Sequence, residues 1–244
     1  MTFDDAVTRL ERGLRRELPG AEAHAHLAPI PRREWPSGFN PARIRNAAGL
    51  LLVFPAGWNA EIAESAEKTS FAGIERKDSL RAQRSLRSTS ADAYIVLTVR
   101  ADSLRHGGQV SLPCGVVEPG ETFEQAALRE AQEEIALAPE SVRLLGALTP
   151  LDIPVSGFRL HPVVGVARTR PVLTRADGEV ADILEVSIAE LTEPRNFALN
   201  ERERDGVALL IPAFQVQGRE IWGATAMILS EFLSLLGWAG HKPI

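Results

Sequence analysis

The chain has 244 residues, 45% hydrophobic and 24% charged, enough apolar material for a substantial buried core. Its 27 Lys and Arg against 32 Asp and Glu leave a formal charge of −5, which excludes the basic excess that a nucleic-acid partner requires. The single cysteine, Cys114, excludes an internal disulfide and, with only five His, a Cys-rich zinc site.

Acidic residues near the N-terminus stand where a secretory signal would need an apolar segment. The longest apolar runs, such as 49–54, fall far short of the roughly 18 residues needed to cross a membrane. The expectation is a cytoplasmic protein with a reduced thiol and no membrane partner.

In chain order, Phe3, Val7, Leu10 and Leu14 recur near helical spacing across residues 2–18, and Pro19-Gly20 stops the pattern. His24 to Arg45 is rich in Pro and Arg without a period, which predicts an irregular surface arm. Residues 49–54 read as a buried strand. Between Gly57 and Asp92 the chain turns polar and charged, and an insertion is expected at about 58–91.

Strands are predicted at 94–99 and 110–112, the second halted by Pro113, and a helix at 122–135. Further strands follow at 142–148, 160–166 and 183–186, then a hairpin over 209–222 turning at Gln217-Gly218, and a last helix at 224–236. This interleaving predicts an α/β (α+β) sandwich in one domain over 46–244, with residues 1–45 packed on it as a helix and arm.

The chemistry concentrates between Gly115 and Leu137. Pro119 and Gly120 suit the two central positions of a type II turn. Thr122 with Gln125 three residues later forms a capping box that starts a helix. At 100° per residue, Leu128, Ala131 and Ile135 share one stripe, while Glu130, Glu133 and Glu134 lie within about 100° on the other side.

Like charges at these spacings repel, so something cationic must compensate. Arg129 reaches Glu133 and Glu121, which leaves Glu130 and Glu134 unbalanced. A hard divalent cation, Mg²⁺ or Mn²⁺, suits such carboxylate oxygens. Three glutamates alone would read as a solvated helix face. The wider pattern of Gly115, Glu121, Arg129-Glu130 and Glu133-Glu134 fixes six positions, and a chance match at a given start is roughly 10⁻⁷.

Gly115 to Leu137 resembles the Nudix box, the signature of hydrolases that cut a nucleoside diphosphate linked to another group. Ala131 and Ala136 depart from it, standing where a bulky aliphatic residue and Gly are usual. The resemblance implies an αβα sandwich with a mixed central sheet that presents glutamates to a metal-bound diphosphate. It implies that Glu130 and Glu134 are metal ligands, that Glu133 is a ligand or the water-activating base, and that the Gly115 carbonyl completes the shell. Arg129 and Glu121 would orient these acids. A further acid often comes from a distant loop, and Glu179 is the candidate for that catalytic role. A homodimer is expected by the same analogy.

Residues 97–115 resemble the segment preceding the box in the coenzyme A diphosphatase branch of the family, and the likeness covers about residues 93–237. It departs where the Leu-Arg-His-Gly-Gly-Gln stretch, 104–109, is one residue short and where Leu112 and Cys114 replace Phe and Gly. The small-molecule substrate so implied is coenzyme A or an acyl derivative, with Arg100, Arg105 and His106 as candidates for binding its 3′-phosphate. The alternatives are hydrolysis of another conjugate, such as ADP-ribose or a dinucleotide, and a non-catalytic nucleotide-binding domain. His24-Ala25-His26 is expected to be a surface segment. Cys114, with no base beside it, is expected to be a small buried side chain, and Trp222 to pack a core edge.

Overall fold

Strand β1 (Arg45–Pro55) is almost wholly buried because both of its faces are covered. In the computed structural model, which describes residues 1–56, 91–102, 107–204 and 206–240, its alternate side chains enter different cores. Ala48, Leu50, Leu52 and Phe54 pack beneath helix α3 (Phe123–Ile135), with Ala126, Ala127, Ala131 and Ile135. Ala47, Leu51 and Val53 point the other way, towards helices α1 (Phe3–Gly13) and α5 (Gly223–Leu235). Successive strand residues alternate between faces, so one apolar run feeds both layers of an αβα sandwich.

The central sheet has eight strands in the order β3-β2-β1-β7-β5. These are β2 (Ala93–Arg100), β3 (Val110–Ser111), β5 (Val142–Ala147) and β7 (Phe158–Ala167), together with three side branches. Strand β4 (Cys114–Val116) pairs with β1, β6 (Leu151–Ile153) with β7, and β8 (Val180–Ser187) with β2. β1 and β7 run parallel and the other pairs antiparallel, so the sheet is mixed as expected. A three-stranded antiparallel sheet, β9 (Phe197–Arg204), β10 (Val207–Val216) and β11 (Arg219–Trp222), follows the short helix α4 (Ile188–Thr192).

Several expectations are corrected. The first helix stops at Gly13, and Gly20, which read as part of the stop, opens a second, α2 (Gly20–Ala25), that runs into the start of what read as an arm. His24 is not on the surface: it is buried, with Nε2 2.9 Å from Glu231 of α5. Glu231 also accepts from the backbone of Gly20 and from Thr149 Oγ1, at 3.2 and 2.6 Å, which satisfies a carboxylate with no solvent contact. Strands β4, β6 and β9 and helix α4 carry no apolar period long enough to read from sequence. The expected insertion lies outside the described residues. Among the described residues, no helix is long and apolar enough to cross a membrane.

Candidate active site

The site is built where β4 meets the start of α3. Glu121 N–H donates to the Glu118 carbonyl at 3.1 Å, and Gly120 takes φ +90°, as a type II turn through Pro119-Gly120 requires. Thr122 Oγ1 accepts from Gln125 N–H while the Gln125 side chain accepts from Thr122 N–H, closing the capping box. At the other end Ala136 adopts φ +54°, the left-handed exit that glycine makes without strain.

Arg129 is the organising cation. Its guanidinium donates to both Glu121 oxygens at 2.8 and 3.0 Å, to Glu130 Oε1 at 2.7 Å, to Glu133 Oε2 at 3.1 Å and to the Val116 carbonyl at 2.9 Å. Glu130 is therefore not left unbalanced, contrary to the expectation from helical spacing. Its side chain curls back along α3 and rests on Gly115, where an added Cβ would fall 2.1 Å from the carboxyl.

Among the described residues, Glu134 has no ion-pair partner at contact distance, unlike Glu130 and Glu133. It is 8% exposed, and its carboxyl is pushed up to about 8, first by burial and then by the charge of Glu130, with Glu179 adding to it. Arg100 and a backbone hydrogen bond from Cys114 act in the opposite direction. Glu179, which precedes β8, and Arg100, at the end of β2, are thus both brought within electrostatic reach of Glu134. Arg105 and His106 lie outside the described residues.

The proximity of Arg100 to Glu134 has no signal in sequence, since it depends on β2 lying beside β1. Cys114 is half-buried and not the fully buried side chain expected; desolvation, together with Glu134 and Glu130, pushes its thiol up to about 12, and this protonated sulfur is no nucleophile at neutral pH. Trp222 is half-buried under the Arg202 guanidinium, 4.8 Å from its ring centroid.

The NUDIX domain family model matches residues 85–208, just over half of the chain. The chain belongs to the Nudix family. Curated relatives agree: a protein of Cronobacter sakazakii described as uncharacterized Nudix hydrolase NudL is 37% identical over 59% of this chain and 75% of its own length. The namesake from Pectobacterium atrosepticum is 38% identical over 56% and 72%. A solved Nudix hydrolase from M. smegmatis, RenU, superposes with a TM-score of 0.49 at 17% identity, over 82% of this chain and 90% of that one.

The chain is thus a Nudix pyrophosphohydrolase, of a family that acts on small-molecule nucleotides and generally uses divalent metal ions. Among the described residues no three metal-binding side chains already converge on one point, because Arg129 draws Glu121, Glu130 and Glu133 to itself. A hard cation nonetheless fits this donor set. Glu134 is a desolvated carboxylate facing two further negative charges, and Gly115 leaves room for a second carboxylate against the backbone.

Proposed function

We propose that this Nudix hydrolase cleaves the diphosphate of coenzyme A or an acyl-CoA, giving 3′,5′-ADP and a 4′-phosphopantetheine product. The observation that carries the reading is the position of Arg100. It belongs to the segment that resembles the coenzyme A diphosphatase branch, and it stands at the acidic site, acting on both Glu134 and Cys114. Arg105 and His106 of the same segment are assigned to the 3′-phosphate with it.

Glu130, Glu134, Glu133 and the Gly115 carbonyl are the groups that would hold Mg²⁺ or Mn²⁺. When bound, such an ion withdraws electron density from phosphorus and acidifies water. Water adds to one phosphorus, the bridging P–O bond breaks, and two phosphomonoesters leave with release of a proton. Glu133 or Glu179 takes that proton. Arg129, tied to Glu121, fixes the carboxylates of Glu130 and Glu133.

Product identification after incubation with coenzyme A and Mg²⁺ tests the reading, and 3′,5′-ADP is expected. Efficient cleavage of ADP-ribose or a dinucleotide with coenzyme A untouched would overturn the substrate. Nucleotide binding without turnover at any metal concentration would overturn the catalysis.

A further inference from the structure

The strand register sets three residues in one row: Gly115 on β4 faces Ala48 on β1, and Ala48 faces His161 on β7. Facing residues share a side of the sheet, so at about 4.8 Å per strand His161 stands roughly 10 Å from Gly115, on the face covered by α3. There its ring lies flat on Phe123, the first residue of α3, with centroids 3.6 Å apart and planes 8° apart. Its Nε2 is 3.1 Å from Asn46 Oδ1. Burial, with the nearby Arg159 charge, lowers the pKa of this imidazole and favours its neutral form. Phe123 remains 37% exposed, an unusual outlay of aromatic surface beside an acidic site.

Beyond His161 an open cleft of about 280 Å³ runs past Thr149, Asp152, Arg159 and Arg32. Two guanidiniums, Arg32 and Arg159, and one carboxylate, Asp152, line it. Arg159 donates to both Asp152 oxygens at 2.6 and 3.0 Å, and Trp35 Nε1 donates to the same carboxylate at 3.3 Å. The Arg159 hydrogen bonds hold Asp152 below the ordinary carboxylate range, so it is ionised at neutral pH. An uncharged planar ring carrying an amino donor would find in this carboxylate an acceptor for it. Trp35 is itself stacked on Phe39, with centroids 4.3 Å apart.

We propose that this shelf and cleft form the base subsite of the enzyme. A purine stacks against the His161–Phe123 pair with its amino group towards Asp152, while the diphosphate of the same molecule lies by Gly115 and Glu130. The span between the two places is one that a ribose 5′-phosphate bridges. The assignment rests on the hydrolase reading above for where the diphosphate lies, and it holds for any purine nucleoside diphosphate conjugate.

ADP titrated into the full chain with Mg²⁺, followed by calorimetry, reports the subsite without turnover, and methyl diphosphate serves as the probe that lacks a base. His161→Leu and Phe123→Leu are each expected to weaken ADP about tenfold or more and to leave methyl diphosphate unchanged. His161→Phe keeps the stack and is expected to retain ADP affinity, which separates lost stacking from a misfolded variant. Equal ADP affinity in the wild type and both leucine variants overturns the subsite, as does an equal loss in His161→Phe. If the wild type cleaves no diphosphate ester yet its ADP binding responds to these variants, the catalytic reading falls and the base subsite stands. Cleavage with variant-insensitive ADP binding has the opposite meaning.

Discussion

Replacing Gly115 by Ala tests the proposed site at its tightest point. The φ of Gly115 lies outside the left-handed region, so space and not backbone conformation opposes a side chain there. The new Cβ would lie 2.1 Å from the Glu130 carboxyl, and ordinary contact begins at 3.4 Å, so the carboxyl must retreat by at least 1.3 Å. That movement breaks the 2.7 Å bond from Arg129, while the bonds from Arg129 to Glu121 remain. A charged hydrogen bond contributes about 1.5–3 kcal/mol, but Glu130 ends a flexible side chain that water can reach, so the expected loss is about 1 kcal/mol. For a chain of this size that is about 2–4 °C in thermal unfolding. A misplacement of about 1 Å at a reacting centre costs about 100-fold in rate, so kcat/KM should fall far more than stability does. Steady-state hydrolysis and calorimetric melting on the same preparation separate the two. Activity within about twofold of wild type would refute the role of Glu130, and a loss above about 4 kcal/mol would show that Gly115 is needed for folding instead.

Glu134→Gln should lower turnover at least about 100-fold, because an amide is a poor ligand for a hard cation. Its effect on stability has the other sign. The folded-state pKa of about 8 lies above the ordinary 4.5, so the metal-free wild type loses stability as pH rises between these values, and the variant should lack that slope in pH-dependent melting. Cys114, raised from the ordinary 9.0 to about 12, should react with iodoacetamide at pH 8 about 1,000-fold more slowly in the native state than after unfolding. Comparable native and unfolded rates would contradict its desolvation beside Glu134. Ala136→Gly should stabilise by about 0.5–1 kcal/mol, because relief of a left-handed alanine outweighs the added chain entropy. An unchanged or lower melting temperature would remove that account of the helix exit.

Local signals in the chain were sufficient for α3 and its approaches. The Pro119-Gly120 turn, the Thr122–Gln125 capping box and the apolar stripe through Ala131 and Ile135 each act within a few residues, so spacing reveals them without a neighbour. The apolar run 49–54 announced a buried strand for the same reason, and the structure extends the buried stretch to eight residues, 47–54, covered on both faces. Short elements did not announce themselves. The three residues of β4 and of β6 are strands only because β1 and β7 supply their hydrogen-bond partners.

Amino-acid order by itself thus determined the turn, the acidic helix, the family signature and the mixed α/β class, all set by contacts within a turn or two of chain. Tertiary structure alone decided which carboxylate is which. Helical spacing treats Glu130, Glu133 and Glu134 alike, yet folding packs Glu134 inside, lays Glu130 on Gly115 and leaves Glu133 exposed on Arg129. It likewise brought Arg100 and Glu179 to that helix and buried His24 against Glu231 across 207 residues of chain. Desolvation and Coulomb energy depend on distance in space, and separation along the chain does not report it.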